Sequence, residues 1–143
     1  MKINIFIDKN REEEIIVYAK EKNKLICEIE ELVNNNSAQI IGYNDGEAVC
    51  LNINDIYAFI VENNKIYALL ENSRYFLKCR LYTLTESLPN NFVKINQSAV
   101  INLNKIKSFD TKVSGTLVVT LQNGFTDYVS RRNIKNIKER FGI

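Results

Sequence analysis

The chain has 143 residues, 45% hydrophobic and 25% charged, with a net charge of +2, no histidine, one proline and five glycines. That suits one domain, or one domain with a small appendage, and leaves little material for long linkers. The missing histidine removes the commonest general base and metal ligand. Walker, GxGxxG and GxSxG loops are missing too, which argues against hydrolase or metalloenzyme chemistry, so no cofactor and no small-molecule substrate is expected.

The apolar runs are far shorter than a membrane span, and "MKINIFIDKN" has no signal-peptide cleavage site, so a cytoplasmic protein is expected. Cys27, Cys50 and Cys79 are odd in number and widely spaced, without CxxC. They read as small buried hydrophobes in a reducing compartment. Charge is unevenly spread. Residues 1–45 hold six basic and nine acidic side chains, whereas residues 46–143 hold thirteen and eight. Basic charge is therefore concentrated where a polyanion-binding segment would need it, although one acidic helix would also produce the asymmetry.

In chain order, "KINIFID" (2–8) alternates polar with apolar and predicts a strand, with Ile3, Ile5 and Ile7 on one face. From about Glu12 to Val33, apolar residues recur mostly at steps of three and four, which predicts an amphipathic helix. "NNNS" (34–37) should stop it. "AQIIGY" then predicts a second strand and "NDGE" (44–47) a tight turn. This β–α–β piece, residues 1–45, is too small for a core of its own. A strand ending in Asp8 looks like the start of a phosphorylatable receiver domain, but a receiver needs several more βα units, and the pattern changes by residue 46.

After residue 46 strands dominate: "AVCLNI" (48–53), "IYAFIVE" (56–62), "KIYALLE" (65–71) and "RYFLKC" (74–79). "RLYTLTESL" (80–88) predicts a short helix stopped by Pro89. "FVKI", "SAVI", "IKSFD", "TLVVTL" and "TDYVS" follow as strands. "RRNIKNIKERFG" predicts a terminal helix, with Ser130 as N-cap and Gly142 past its end. A weak repeat at a spacing of 50 matches Ile53-Asn54-Asp55-Ile56 and Phe59 to Leu103-Asn104-Lys105-Ile106 and Phe109. The expected fold class is α+β, mainly β, with short helices at its edges.

Three stretches carry side chains suited to a partner. Asn96-Gln97-Ser98 joins two apolar strands; amides pair with adenine edges, whereas Lys and Arg serve phosphate or guanine. Asn96 and Ser98 equally suit a turn whose backbone they satisfy. "VENNKI" (61–66) offers Asn63, Asn64 and Lys65, or a plain hairpin turn. "SRRNIKNIK" (130–138) sets Arg131, Arg132 and Lys135 near a helix N-terminus, where cations oppose the dipole and an anionic partner would compensate.

"FVKINQSAVINLNKIKSF" followed by "LQNGFTDYVSRRNIKNIKERF" resembles the LytTR-type DNA-binding domain of bacterial transcription regulators. Phe92, Lys94, Asn96, Gln97, Ser98, Asn102 and Ile106 carry the first part of its pattern, and Ser130 and Arg132 the second. The likeness covers about residues 46–143. It implies a largely β fold whose loops meet double-stranded DNA: Asn64 or Lys65 from the hairpin turn, Asn96 and Gln97 from the polar loop, and Arg132 from the last helix. Lys65, Lys94, Arg131 and Lys135 would hold phosphates. The family often carries Arg or His in the part of the loop where Lys94 and Asn96 stand, so the target sequence does not follow from the likeness.

The resemblance further implies paired direct repeats in the DNA and a homodimer on them. With no receiver ahead of the domain, control would come from protein amount, a membrane partner or oligomerisation, and the acidic N-terminal helix would either form the dimer surface or pack on the β domain. The rival reading is a protein-interaction module that binds a polypeptide at a sheet edge.

Overall fold

The computed structural model describes residues 1–34 and 40–143. The chain divides into two compact units, Met1–Asn36 and Ser37–Ile143. In the first, helix α1 spans Lys24–Asn34. It starts where the Asn23 side chain accepts from the Ile26 amide at 3.0 Å, so it begins twelve residues later than the periodicity from Glu12 suggests. Ile15-Ile16-Val17-Tyr18 is a β-branched and aromatic run that loses rotamer freedom in a helix, and Asn23 is a strong cap. Residues 2–8 carry the strand pattern but form no strand. Among the described residues nothing pairs with their backbone. Of the stop expected at 34–37, Asn34 still belongs to α1 and residues 35–37 lie outside the described residues, as do the first residues of the strand expected from Ala38.

Among the described residues of the second unit, ten strands form two antiparallel sheets. β1 (Ile40–Asn44), β2 (Glu47–Leu51), β3 (Ala58–Glu62), β4 (Lys65–Leu69), β5 (Arg74–Leu77), β6 (Phe92–Asn96) and β7 (Ala99–Asn102) build the larger one. Its order is β2-β1-β5-β4-β3-β7-β6. β8 (Ile106–Asp110), β9 (Val118–Leu121) and β10 (Thr126–Tyr128) build the smaller, in the order β10-β9-β8. Helices α2 (Leu81–Ser87) and α3 (Arg131–Phe141) complete the unit. β1, expected within the N-terminal piece, pairs along its whole length with β2. Asp45 and Gly46 between them both have positive φ, the demand of a two-residue type I′ hairpin.

The large sheet is apolar on both faces, which explains its near-continuous hydrophobic strands. One core joins Ala58, Ile95, Ala99 and Ile101 to Val119 and Leu121 of the small sheet and Ile137 of α3. The other joins Phe59, Ile66, Ala68 and Val100 to Leu84 of α2. β7 contributes to both and is buried at every position. Gly42 marks a close approach: a Cβ there would lie 2.6 Å from Tyr75 Cβ and 2.7 Å from Leu51 Cδ1. Gly42→Ala is therefore expected to lower unfolding free energy by about 2 kcal/mol, read in urea titration, because β1 must shift to make room.

The repeat seen in sequence is structural. Asn52 and Asn102 each precede a single 3₁₀ turn, at φ −82 and −85, and each side chain accepts from the amide two residues on. After each turn come three strands and a helix, and β5-β4-β3 matches β10-β9-β8 in order. The cysteines differ from expectation: Cys27, Cys50 and Cys79 are all exposed free thiols. Cys50 faces outward on β2, an outermost strand, and Cys79 lies beyond the end of β5, so neither reaches a core. Partial burial of its sulfur pushes the Cys79 thiol up, which keeps it protonated although the residue as a whole is exposed.

Candidate nucleic-acid interface

Antiparallel pairing brings three sequence-distant segments to one end of the large sheet. β3 and β7 run side by side with Ile60 opposite Ala99, and the Val61 amide donates to the Ser98 carbonyl at 2.8 Å. The β3–β4 turn thus sits beside the β6–β7 turn, about 10 Å away at two strand spacings. Asn63 and Asn64 form the first turn with φ of 52 and 62, and Glu62 pairs with Lys65. This is a type I′ hairpin, for which asparagine is among the favoured residues. Turn geometry alone accounts for two asparagines there; both side chains are exposed, as is Lys65.

The second segment is held from below by a register break in β6 between Lys94 and Asn96. The Ile95 carbonyl at that break accepts from the Ser130 amide at 2.7 Å and from Asn133 Nδ2 at 3.2 Å. A bulge re-aims a strand's groups, and here it fastens the start of α3 to the polar loop. Ser130 precedes α3 as expected, but its hydroxyl does not cap the helix amides; it accepts from Asn133 Nδ2 at 2.8 Å.

Asn96, expected to read base edges, is turned inward. It is 3% exposed. Its Nδ2 donates to Asp127 Oδ2 at 3.0 Å and to the Tyr128 carbonyl at 2.9 Å, and its Oδ1 accepts from the Ser98 amide at 2.8 Å. Its hydrogen bonds are spent inside the protein, on an Asx turn and on the strand leading into α3. Gln97 at the loop apex is exposed, and its Oε1 lies 3.4 Å from Lys94 Nζ.

Gln97, Lys94 and Arg132 line one open depression of about 270 Å³ together with Tyr128, Ser130 and Asn133, with Asn96 in its wall. Arg131 and Lys135 are exposed but line a different hollow, with Lys138 and Gly115. On a helix, positions 131, 135 and 138 share a face that Arg132 does not. Among the described residues, none of Lys65, Lys94, Arg131, Arg132 and Lys135 has an acidic partner within salt-bridge distance. Arg131 and Arg132 also sit in the first turn of α3, where its dipole disfavours cations. The arrangement is thus a set of cations without salt-bridge partners among the described residues and the exposed amides of Asn63, Asn64 and Gln97 around one sheet end, able to hold phosphates and donate to base edges.

Two contributors escaped sequence reasoning. Tyr128 is 59% exposed at the rim of the depression; it looked like one more strand aromatic, and only its outward place in the alternation with Thr126 hinted otherwise. Lys138 extends the Arg131–Lys135 stripe, and its i, i+4, i+7 spacing was the available signal.

Residues 46–142 match the LytTr DNA-binding domain family. An uncharacterized HTH-type transcriptional regulator of Staphylococcus aureus strain NCTC 8325 / PS 47 is 34% identical over 146 residues, covering 100% of this chain and 99% of its own. A regulator of the same description from strain MRSA252 shows the same identity and coverage. Although those relatives are named for a helix-turn-helix, no two helices are consecutive among the described residues, since five strands separate α2 from α3. In fold, the chain is similar to a LytTr DNA-binding domain from Bacillus cereus, with a TM-score of 0.68 at 18% identity, covering 73% of this chain and 97% of that one. With the sheet order, the polar loop and the serine–arginine helix start all in place, the chain belongs to the LytTR family of DNA-binding domains.

Proposed function

We propose that this LytTR-type DNA-binding transcriptional regulator meets duplex DNA with the end of its large sheet, Gln97 and Arg132 reading base edges and Lys65, Lys94, Arg131 and Lys135 holding phosphates. The observation that carries this reading is the meeting of Gln97 and Arg132, from segments far apart in sequence, around one depression whose cations, Lys94 and Arg132, have no salt-bridge partner among the described residues. Asn64 reaches the duplex from the neighbouring turn. Asn96 acts from beneath, as the residue that fixes the loop. Two copies bind paired direct repeats, in the cytoplasm.

The test is a gel shift with duplexes selected by the protein from a random pool. Arg132→Ala is expected to weaken binding by about 1–3 kcal/mol with an unchanged circular dichroism spectrum, because Arg132 is exposed. Binding should fall steeply with salt, at about −0.9 in log–log slope per neutralised phosphate, and Lys94→Ala should flatten that slope by about 1. An unaltered shift in Arg132→Ala, or a flat salt profile, would remove the assignment.

A further inference from the structure

The N-terminal unit exposes side chains that water does not favour. Ile3, Ile5, Phe6 and Ile7 are 76–93% exposed, and Ile15, Ile16 and Tyr18 are exposed as well. Leu25, Leu32 and Val33 add an uncovered apolar side to α1. Apolar exposure on this scale marks an interaction surface. Residues 2–8 also alternate as a strand does, yet among the described residues their backbone amides and carbonyls have no partner strand. An unpaired apolar strand sequence is a template for pairing with another chain.

We propose that this segment is the homodimerisation element, pairing antiparallel with residues 2–8 of a second copy about a two-fold axis through Ile5. The charges of "KINIFID" select this occupant. In that register Lys2 stands opposite Asp8, Ile3 opposite Ile7, Asn4 opposite Phe6, and Ile5 opposite itself. Both charge pairs are then complementary, and Ile3, Ile5 and Ile7 of each copy share one face. An isologous interface must be self-complementary in this way, and a seven-residue segment that is both apolar and charge-matched to its own reverse meets that demand. Two strands alone are marginal in water. The run Ile15–Tyr18 and the apolar side of α1, doubled by symmetry, supply the remaining cover. The assembly is independent of how the domain reads DNA.

Sedimentation equilibrium of the full chain without DNA tests the proposal. A dimer is expected, and Ile5→Lys, which sets two lysines against each other on the axis, should raise its dissociation constant by about a hundredfold or more. Ile5 is exposed, so the variant's circular dichroism spectrum should stay unchanged. Lys2→Asp should weaken the dimer, and Lys2→Asp combined with Asp8→Lys should restore it. A monomeric wild-type chain would overturn the proposal, leaving the apolar segment to be covered by the chain itself or by a different protein. A dimer indifferent to Ile5→Lys would overturn it too, and a double variant no tighter than Lys2→Asp alone would overturn the register. If DNA binding failed its own test, none of these readings would move.

Discussion

Asn96→Ala is expected to lower both stability and DNA affinity, the former by about 3 kcal/mol. The substitution removes two donated bonds, one of them to a carboxylate, and the bond accepted from the Ser98 amide. Bonds to charged groups are worth about 1.5–3 kcal/mol and neutral ones about 1, and the part-buried partners left behind add a smaller desolvation cost. The loop then loses the turn that presents Gln97, so affinity should fall by about tenfold or more. Gln97→Ala is the informative contrast. Gln97 is exposed, so its loss should leave unfolding within about 0.5 kcal/mol of wild type while still weakening binding. Chemical denaturation and fluorescence anisotropy on the two variants separate the residue that builds the loop from the one that uses it. Equal stabilities would show that Asn96 does not hold the turn.

Phe59→Ala is expected to have the largest effect on stability, about 4 kcal/mol. Phe59 is fully buried near the start of β3, with its ring centroid 5.6 Å from that of Phe92. Its neighbours across the sheet are Ala68 and Val100, both small or β-branched, so the cavity cannot be filled from either side. For a unit of this size the melting temperature should drop by roughly 20 °C, followed by circular dichroism. A drop of only a few degrees would mean that the core beneath α2 collapses into the gap.

Much of the second unit was legible in sequence because local signals and tertiary structure agree there. Every strand and helix expected between Ala48 and Gly142 is present, ends falling within a few residues. Asp45-Gly46 and Asn63-Asn64 turn where their backbone preference says. The N-terminal unit was read less well, and for a physical reason. "KINIFID" carries the alternation of a strand, but alternation describes a face, while a strand also needs a neighbour. Ile15–Tyr18 fitted a helical period by spacing and opposed it by residue type.

At the candidate interface, residue type and position in the chain single out Gln97, Arg132 and the lysines, all of which the structure leaves exposed. They do not tell that Asn96 turns inward, because which way an amide turns at a bulge depends on Asp127 and Tyr128, thirty-one and thirty-two residues further on. The pairing of Arg132 with Gln97, rather than with Arg131 and Lys135, likewise follows from how α3 is fastened to the Ile95 carbonyl.

β7 is enclosed on both faces and flanked by β3 and β6, and the polar loop enters directly into it. Amide protons on such a strand exchange with solvent only when the whole unit opens, so the loop is rooted in the slowest-breathing part of the molecule. A contact surface mounted there arrives at its target already ordered. Little freedom is left to lose on association, and more of the interaction energy remains for discriminating one sequence from another.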